Sequence, residues 1–355
     1  MCDRLSIQCI IPPYINDKLA QSTNPTVRAR AIANIRAAAT LRTQRVMSQA
    51  MPGLMASAAP TKKKQRLVYD AKKGDQLPGK LVRSEGQPKV ADVAVNRAYD
   101  YSGNTYDFYD QLFGRNSLDN NGMTLISSVH VGEVDENGTR VPMNNAFWNG
   151  EQMAYGDGDG VIFRDFTGSL DVVGHELTHG VESFTSNLEY RSQSGALNEH
   201  FADVFGVLVR QWINGETALK ANWLIGAEVL VPAPTRRAIR DMENPGTAFV
   251  NDPDLGDDPQ PGHMRDLYTG FADRGGVHIN SGIPNRAFVL VAKALKGSAW
   301  NVAGRIWYDT MLQLTTTSQI ADCARVSLQV ASTPKYGAAA KKAVKSAWKK
   351  VGISL

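Results

Sequence analysis

The stretch DVVGHELTHG, residues 171 to 180, concentrates the residue types best suited to chemistry. His175 and His179 stand four apart, so on a helix they lie about 400° and roughly 6 Å from each other, on one face and aimed at a common point. Two neutral imidazoles so placed can share one metal ion. Glu176 is turned about 100° from His175, away from the metal's own ligands and beside any water the metal holds. This is the HExxH spacing, in which the histidines bind zinc and the glutamate serves as general base.

Catalytic zinc takes three protein ligands and leaves one position open for water. The third should come from a second element, and SGALNEHFADVFGVL supplies candidates. Glu199 and Asp203 share a helical face, so the first can ligate while the second reaches back to an imidazole N–H. His200 is the rival, but it is turned about 100° from Glu199 and reads as a non-ligand.

Helices over about 171–187 and 194–213 would carry these groups. Before them, RLVYDAKKGDQLPGKLVR reads as strands, AVNRAYDYSGNTYDFYDQLFG as helix and MTLISSVHVGE as an alternating strand. MNNAFWNGEQMAYGDGDG reads as edge strand and turn, and an edge strand can pair with a peptide substrate. The Gly156–Gly160 run lacks calcium-loop spacing and reads as a tight turn, and the acidic loop over 251–262 as a solvated one. Residues 284–296 and 319–331 have helical periodicity, and AAAKKAVKSAWKKVG reads as a final helix with Val344 and Trp348 inward.

At 355 residues the chain is long enough for two domains. Cys2, Cys9 and Cys323 are too few and odd in number for a disulfide framework. The start, MCDRLSIQCIIPPYIN, lacks a basic n-region followed by a long apolar stretch, so synthesis in the cytoplasm without a standard secretory signal is expected, with leaderless export open. No membrane span is expected, since no apolar run approaches about 18 residues.

Charge divides the chain. Between Asp17 and Asp70 lie ten basic residues and no acidic one, so with +4 overall and +10 there, the remainder carries −6. An organelle transit peptide or nucleic-acid arm would share that composition, but an apolar IPPYIN segment comes first and the basic residues lack interleaved aromatics. A basic segment docking on its own acidic-leaning remainder fits better. A helix is expected from about Pro25 to Met47 with Val27, Ile32, Ile35 and Ala39 on one face, followed by a linker at 51–62.

In order and with suitable spacing, NNAFWNG, YGDGDG, DVVGHELTHG, SGALNEHFAD, AIRDMENP and GGVHINSG resemble the thermolysin family of zinc metalloendopeptidases over most of residues 66–355. The resemblance implies an α+β, two-domain fold, β-rich then helical, with the zinc helix between the halves. It also implies His175, His179 and Glu199 as zinc ligands and Glu176 as base. Tyr190 and His278 would hydrogen-bond the oxyanion, Asp273 would orient His278, and Asp203 would support the ligands from behind. Asn145, Ala146 and Arg240 would hold the substrate backbone. Phe163, Phe166, Val172, Ile225, Val229 and Ile239 would line the pocket for the residue after the cut, favouring bulky hydrophobic side chains there. Where the family has calcium-binding carboxylates this chain has Arg210, Asn222, Leu224 and Ala227, so the paired calcium site is expected to be missing although Asp171 remains.

A short leader bearing IPPY resembles the protealysin subgroup, which implies an inhibitory propeptide over 1–55, then domains over 56–190 and 191–355. The partners implied are peptide or protein substrates and the chain's own leader, on a monomer. A weaker expectation brings Cys9 to the zinc, because thiolates are good zinc ligands. The competing class is a binding protein with structural zinc. Structural sites, however, are closed by four protein ligands, whereas this one offers three and Glu176. An aminopeptidase would need an acidic anchor for a free amine.

Overall fold

Residues 8–36, 63–135 and 138–355 are described by the computed structural model of the protein. The chain divides into two units, Met1–Val181 with Glu228–Pro232, and Glu182–Ala227 with Ala233–Leu355.

The first unit is built on one sheet. Its strands are β1 (Gln8–Cys9), β2 (Arg66–Asp70), β3 (Lys80–Ser84), β4 (Leu125–Val134), β5 (Arg140–Pro142), β6 (Ala146–Trp148) and β7 (Met153–Gly156). Their order is β1-β6-β7-β4-β2-β3, with β5 beside β4. The run at 125–134 alternates in sequence, a pattern that ordinarily leaves one face wet. Instead Ser127 and Ser128 are as buried as Val129 and Val131, because β4 lies between parallel neighbours β2 and β7 deep in the sheet. At the end of β7 a β-carbon on Gly156 would lie 1.9 Å from the Met143 carbonyl oxygen, so only glycine lets the two segments meet.

Among the described residues, the helices of this unit are α1 (Pro13–Leu19), α2 (residues 25–36), α3 (Val93–Phe113) and all but the last two residues of α4 (Leu170–Ser183), which carries the HExxH motif. The expected face of α2 is corrected. Val27 is buried, but Ile35 is exposed and Asn34 is buried in its place. Asn34 turns inward because its amide donates to Asn16 Oδ1 (3.1 Å) and to the Asn144 carbonyl (2.9 Å). Ala39 and the linker at 51–62 lie outside the described residues.

His130 fastens the sheet to α3. Its ring nitrogens sit 2.7 Å from Asp157 Oδ1 and 2.8 Å from Asp92 Oδ2, and Asp92 also caps α3 by accepting from the N–H groups of Ala94 and Val95. The hydrogen bond to Asp157, opposed by burial and aided by Asp92, raises the His130 pKa from 6.5 to about 9. Because the folded value is the higher one, this stabilisation is complete below about pH 6.5 and disappears as pH rises through 9. Guanidinium denaturation at pH 6.5 and 9.5 should therefore differ by on the order of 1–2 kcal/mol more in the wild type than in His130→Gln. Equal pH dependence in the two proteins would discard the clamp.

The second unit holds β8 (Leu224–Ile225) paired with β9 (Arg240–Asp241), and helices α5 (Ser192–Asn214), α6 (Asp273–Asn280), α7 (Gly282–Leu295), α8 (Val302–Met311), α9 (Ile320–Ala331) and α10 (Gly337–Lys350). Every residue of α5 from Ser194 to Gln211 is buried, as befits a helix ringed by α6, α7, α8 and α9. On α10, Val344 and Trp348 face inward as expected, with the Trp348 ring stacked on Trp307 at 6.4 Å. The chain turns at Ser183, earlier than the expected 187, because buried Glu182 accepts from the Leu188 N–H and the Ser186 hydroxyl. Among the described residues no helix is long and apolar enough to cross a membrane.

Candidate active site

On α4, His175 and His179 are fully buried and meet edge to face, with ring centroids 4.6 Å and Nε2 atoms 3.1 Å apart. Lone pairs that close repel unless a proton or cation lies between them. His175, His179 and Glu199, the last on α5, offer ligand atoms that all lie within 4.8 Å of one another. Two imidazoles and a carboxylate, dry and convergent, form the donor set of catalytic zinc, so the residues present fit that ion. Cys9 is not in the group, which corrects the expectation of a thiolate ligand. Its sulfur instead lies 3.5 Å from the Ile11 carbonyl oxygen and packs against the cluster of Ala71, Val131, Met143, Phe147 and Ala154.

Glu176 is fully buried, and its Oε2 accepts the Trp148 backbone N–H at 3.0 Å. The carboxylate is thus pinned to β6, the strand that begins with Ala146. That strand was expected to be a free edge; β1 covers it, with Cys9 opposite Phe147 and Gln8 opposite Trp148. The Ile10 N–H donates to the Ala146 carbonyl (3.3 Å) and the Ile11 N–H to Asn145 Oδ1 (3.2 Å). Arg30 reaches the Asp159 carbonyl (2.7 Å), so the basic leader docks on the chain's own turn at Gly156–Gly160. Asp159 also accepts from three successive N–H groups, at Val161, Ile162 and Phe163, which makes that turn a stitched one.

In the second unit the Tyr190 hydroxyl donates to Glu199 and lies 3.2 Å from His278 Nε2. Asp273 holds His278 from behind, with Oδ1 2.6 Å from Nδ1 and Oδ2 accepting the His278 N–H at 2.7 Å. Burial pulls the His278 pKa down, but the charges of Glu199 and Asp273 outweigh it and the net shift is upward. Arg240 is buried without exposure and forks onto Asp203 (2.9 and 2.7 Å), whose Oδ2 also accepts from Asn285. His200 has both ring nitrogens engaged, one with Asn285 Oδ1 and one accepting from Trp307, and burial lowers its pKa to about 4. It is a structural histidine.

The expected pocket residues Phe163, Phe166, Val172, Ile225, Val229 and Ile239 are all fully buried. Phe163 and Phe166 touch at 5.7 Å between ring centroids, and Ile239 bonds Ile225 through its N–H. Arg210 donates to the carbonyls of Asn222 and Leu224, so a guanidinium serves backbone oxygens that a cation could otherwise take. The acidic loop at 251–262 is not simply solvated: Arg236 forks onto buried Asp252, and buried Asp258 accepts the N–H groups of Gly246, Ala248 and Gln260. Sequence reasoning passed over Glu182, which braces the loop leading to Tyr190. Its position three residues after His179, on the same helical face, was the available signal.

Two family descriptions match the chain: "Thermolysin metallopeptidase, catalytic domain" over residues 56–183 and "Thermolysin metallopeptidase, alpha-helical domain" over 186–353. A protein of Pectobacterium carotovorum named extracellular metalloprotease is 48% identical over 83% of this chain and 83% of its own length. Protease PrtS of a Photorhabdus strain is 42% identical over 98% and 92%. The solved precursor of protealysin, a metalloproteinase from Serratia proteamaculans, superposes with a TM-score of 0.86 at 43% identity, covering 98% of this chain and 100% of that one. The expectation of a chain made in the cytoplasm, with export only as an open possibility, is corrected by the relative named extracellular, which points to secretion. With the zinc donor set, both halves of the fold and the precursor's leader all matched, the chain belongs to the thermolysin family of zinc metallopeptidases.

Proposed function

We propose that the protein is a monomeric endopeptidase precursor whose leader occupies the substrate strand, and which, once released, cuts peptide bonds preceding bulky hydrophobic residues. The observation that carries this reading is the hydrogen bonding of Ile10 and Ile11 to Ala146 and Asn145, on the strand that also anchors Glu176. A substrate would take the same backbone groups as an added strand. Burial of the six pocket residues supports an apolar side chain after the cut.

Zinc held by His175, His179 and Glu199 supplies, when bound, a Lewis acid for the scissile carbonyl and a lowered pKa for water. Glu176 takes the attacking water's proton and passes it to the leaving amine nitrogen. Tyr190 Oη and His278 Nε2 donate to the developing oxyanion. The bond between Nδ1 and Asp273 holds the His278 ring with Nε2 turned toward the Tyr190 hydroxyl. Arg240, held rigid by Asp203, is the cation that would hold the substrate backbone.

A peptide-library digest with N-terminal sequencing of both products and enzyme tests this. New termini should begin with Leu, Ile, Val or Phe, cleavage should stop with a zinc chelator and return with zinc, and the active species should begin near residues 50–62. An active species that retains Met1 would refute the role given to the leader, and chelator-resistant cleavage would refute the chemistry.

A further inference from the structure

We infer that Arg274 makes the subsite for the residue preceding the cut bond favour acidic side chains. The inference rests on the reading of Tyr190 and His278 as donors to that residue's carbonyl oxygen.

The observation behind it is a run of left-handed backbone. Asp273, Arg274, Gly275 and Gly276 have φ of 52°, 53°, 84° and 83°. Glycine adopts these angles freely, but arginine does so against its preference, and such strain persists only where the surroundings impose it. Here they do. The N–H groups of Gly275 and Gly276 both donate to the Ala272 carbonyl at 3.0 Å, and Asp273 is bound by the N–H groups of His278 and Ile279. Gly275 approaches Ser192 so closely that a β-carbon would lie 2.7 Å from its Oγ.

The turn has two products. Asp273 is set behind His278, which accounts for its strain. Arg274 is set over the face of Tyr190, its Cζ 6.0 Å from the ring centroid. Nothing in the positioning of His278 requires a cation there.

Arg274 is half-buried and has no carboxylate within ion-pair distance among the described residues. The carboxylates bonded to His278 and Tyr190 are committed elsewhere: Asp273 to His278, and Glu199 to the Tyr190 hydroxyl and the metal group. Among the described residues, the buried guanidinium groups of this unit are satisfied, Arg236 by Asp252, Arg240 by Asp203 and Arg210 by the carbonyls of Asn222 and Leu224. A half-desolvated planar donor beside the group that receives a substrate carbonyl is placed to bind a carboxylate on the residue owning that carbonyl.

The test compares two doubly blocked peptides that differ only in Glu or Gln before a Leu, using protein purified in its peptide-cleaving form. The readout is the ratio of kcat/KM within each enzyme, so a variant's overall loss of activity cancels. In wild type the Glu peptide should lead by about fivefold at low salt. That lead should shrink at 1 M salt, where the screening length is about 3 Å. Arg274→Gln should bring the ratio near one, Arg274→Glu should reverse it, and Arg274→Lys should keep most of it. A wild-type ratio near one, or an unchanged ratio in Arg274→Gln, overturns the inference while zinc-dependent cleavage of the Gln peptide leaves the peptidase reading standing. If neither peptide is cut, the reading of Tyr190 and His278 falls and this inference with it.

Discussion

Glu176→Gln should lower kcat on a blocked peptide by about 10²–10⁴ while bound zinc and thermal stability stay at wild-type levels. The substitution preserves shape, and the amide oxygen can still accept the Trp148 N–H that holds Oε2 at 3.0 Å, so β6 and α4 keep their join. What is lost is the basic oxygen that receives the water's proton. Glu176 has no exposed surface, so bulk solvent cannot easily stand in for it. Turnover within tenfold of wild type, at equal zinc content, would remove Glu176 from the chemistry.

The largest effect on stability should come from Arg240→Leu. Arg240 and Asp203 have no solvent exposure, and their paired hydrogen bonds of 2.9 and 2.7 Å are what offsets the desolvation of both charges. Removing the guanidinium takes away the charge that offsets the buried Asp203 carboxylate, at a cost of about 3–5 kcal/mol. Urea unfolding would read this as a lower midpoint with an unchanged slope. Arg240→Lys should recover part of the loss, since an ammonium restores the charge without the fork. A change below about 1 kcal/mol in Arg240→Leu would mean that the pair is not the buried lock its geometry describes.

Local periodicity made much of this molecule readable in advance. HELTH placed His175 and His179 on one helical face before any fold was known, and the imidazoles do meet there. The strand at 125–134, though not its burial, and the inward Val344 and Trp348 followed from residue spacing in the same way. What escaped was long range. Nothing near Asp203 in sequence announced its bonds to Arg240 or Asn285. Nor does composition reveal that Asn34 rather than Ile35 faces inward on α2, because its partners Asn16 and Asn144 lie far along the chain. The acidic loop misled for the same reason: Asp252 and Asp258 are acidic residues with distant or backbone partners, and residue type alone cannot separate them from solvated ones.

The ladder between β1 and β6 is only two residues long, and it is reinforced by buried Ile10, Ile11, Ile15 and Leu19 together with the Asn34 amide and the Arg30 contact. While the leader is joined covalently to the rest, its local concentration is on the order of millimolar and so short a ladder holds. One peptide-bond scission turns a first-order equilibrium into a second-order one. On the reading proposed above, blocking by the severed leader then depends on total protein: a concentrated stock should rebind it and stay quiet, whereas dispersal into a larger volume should wake the enzyme without any further signal.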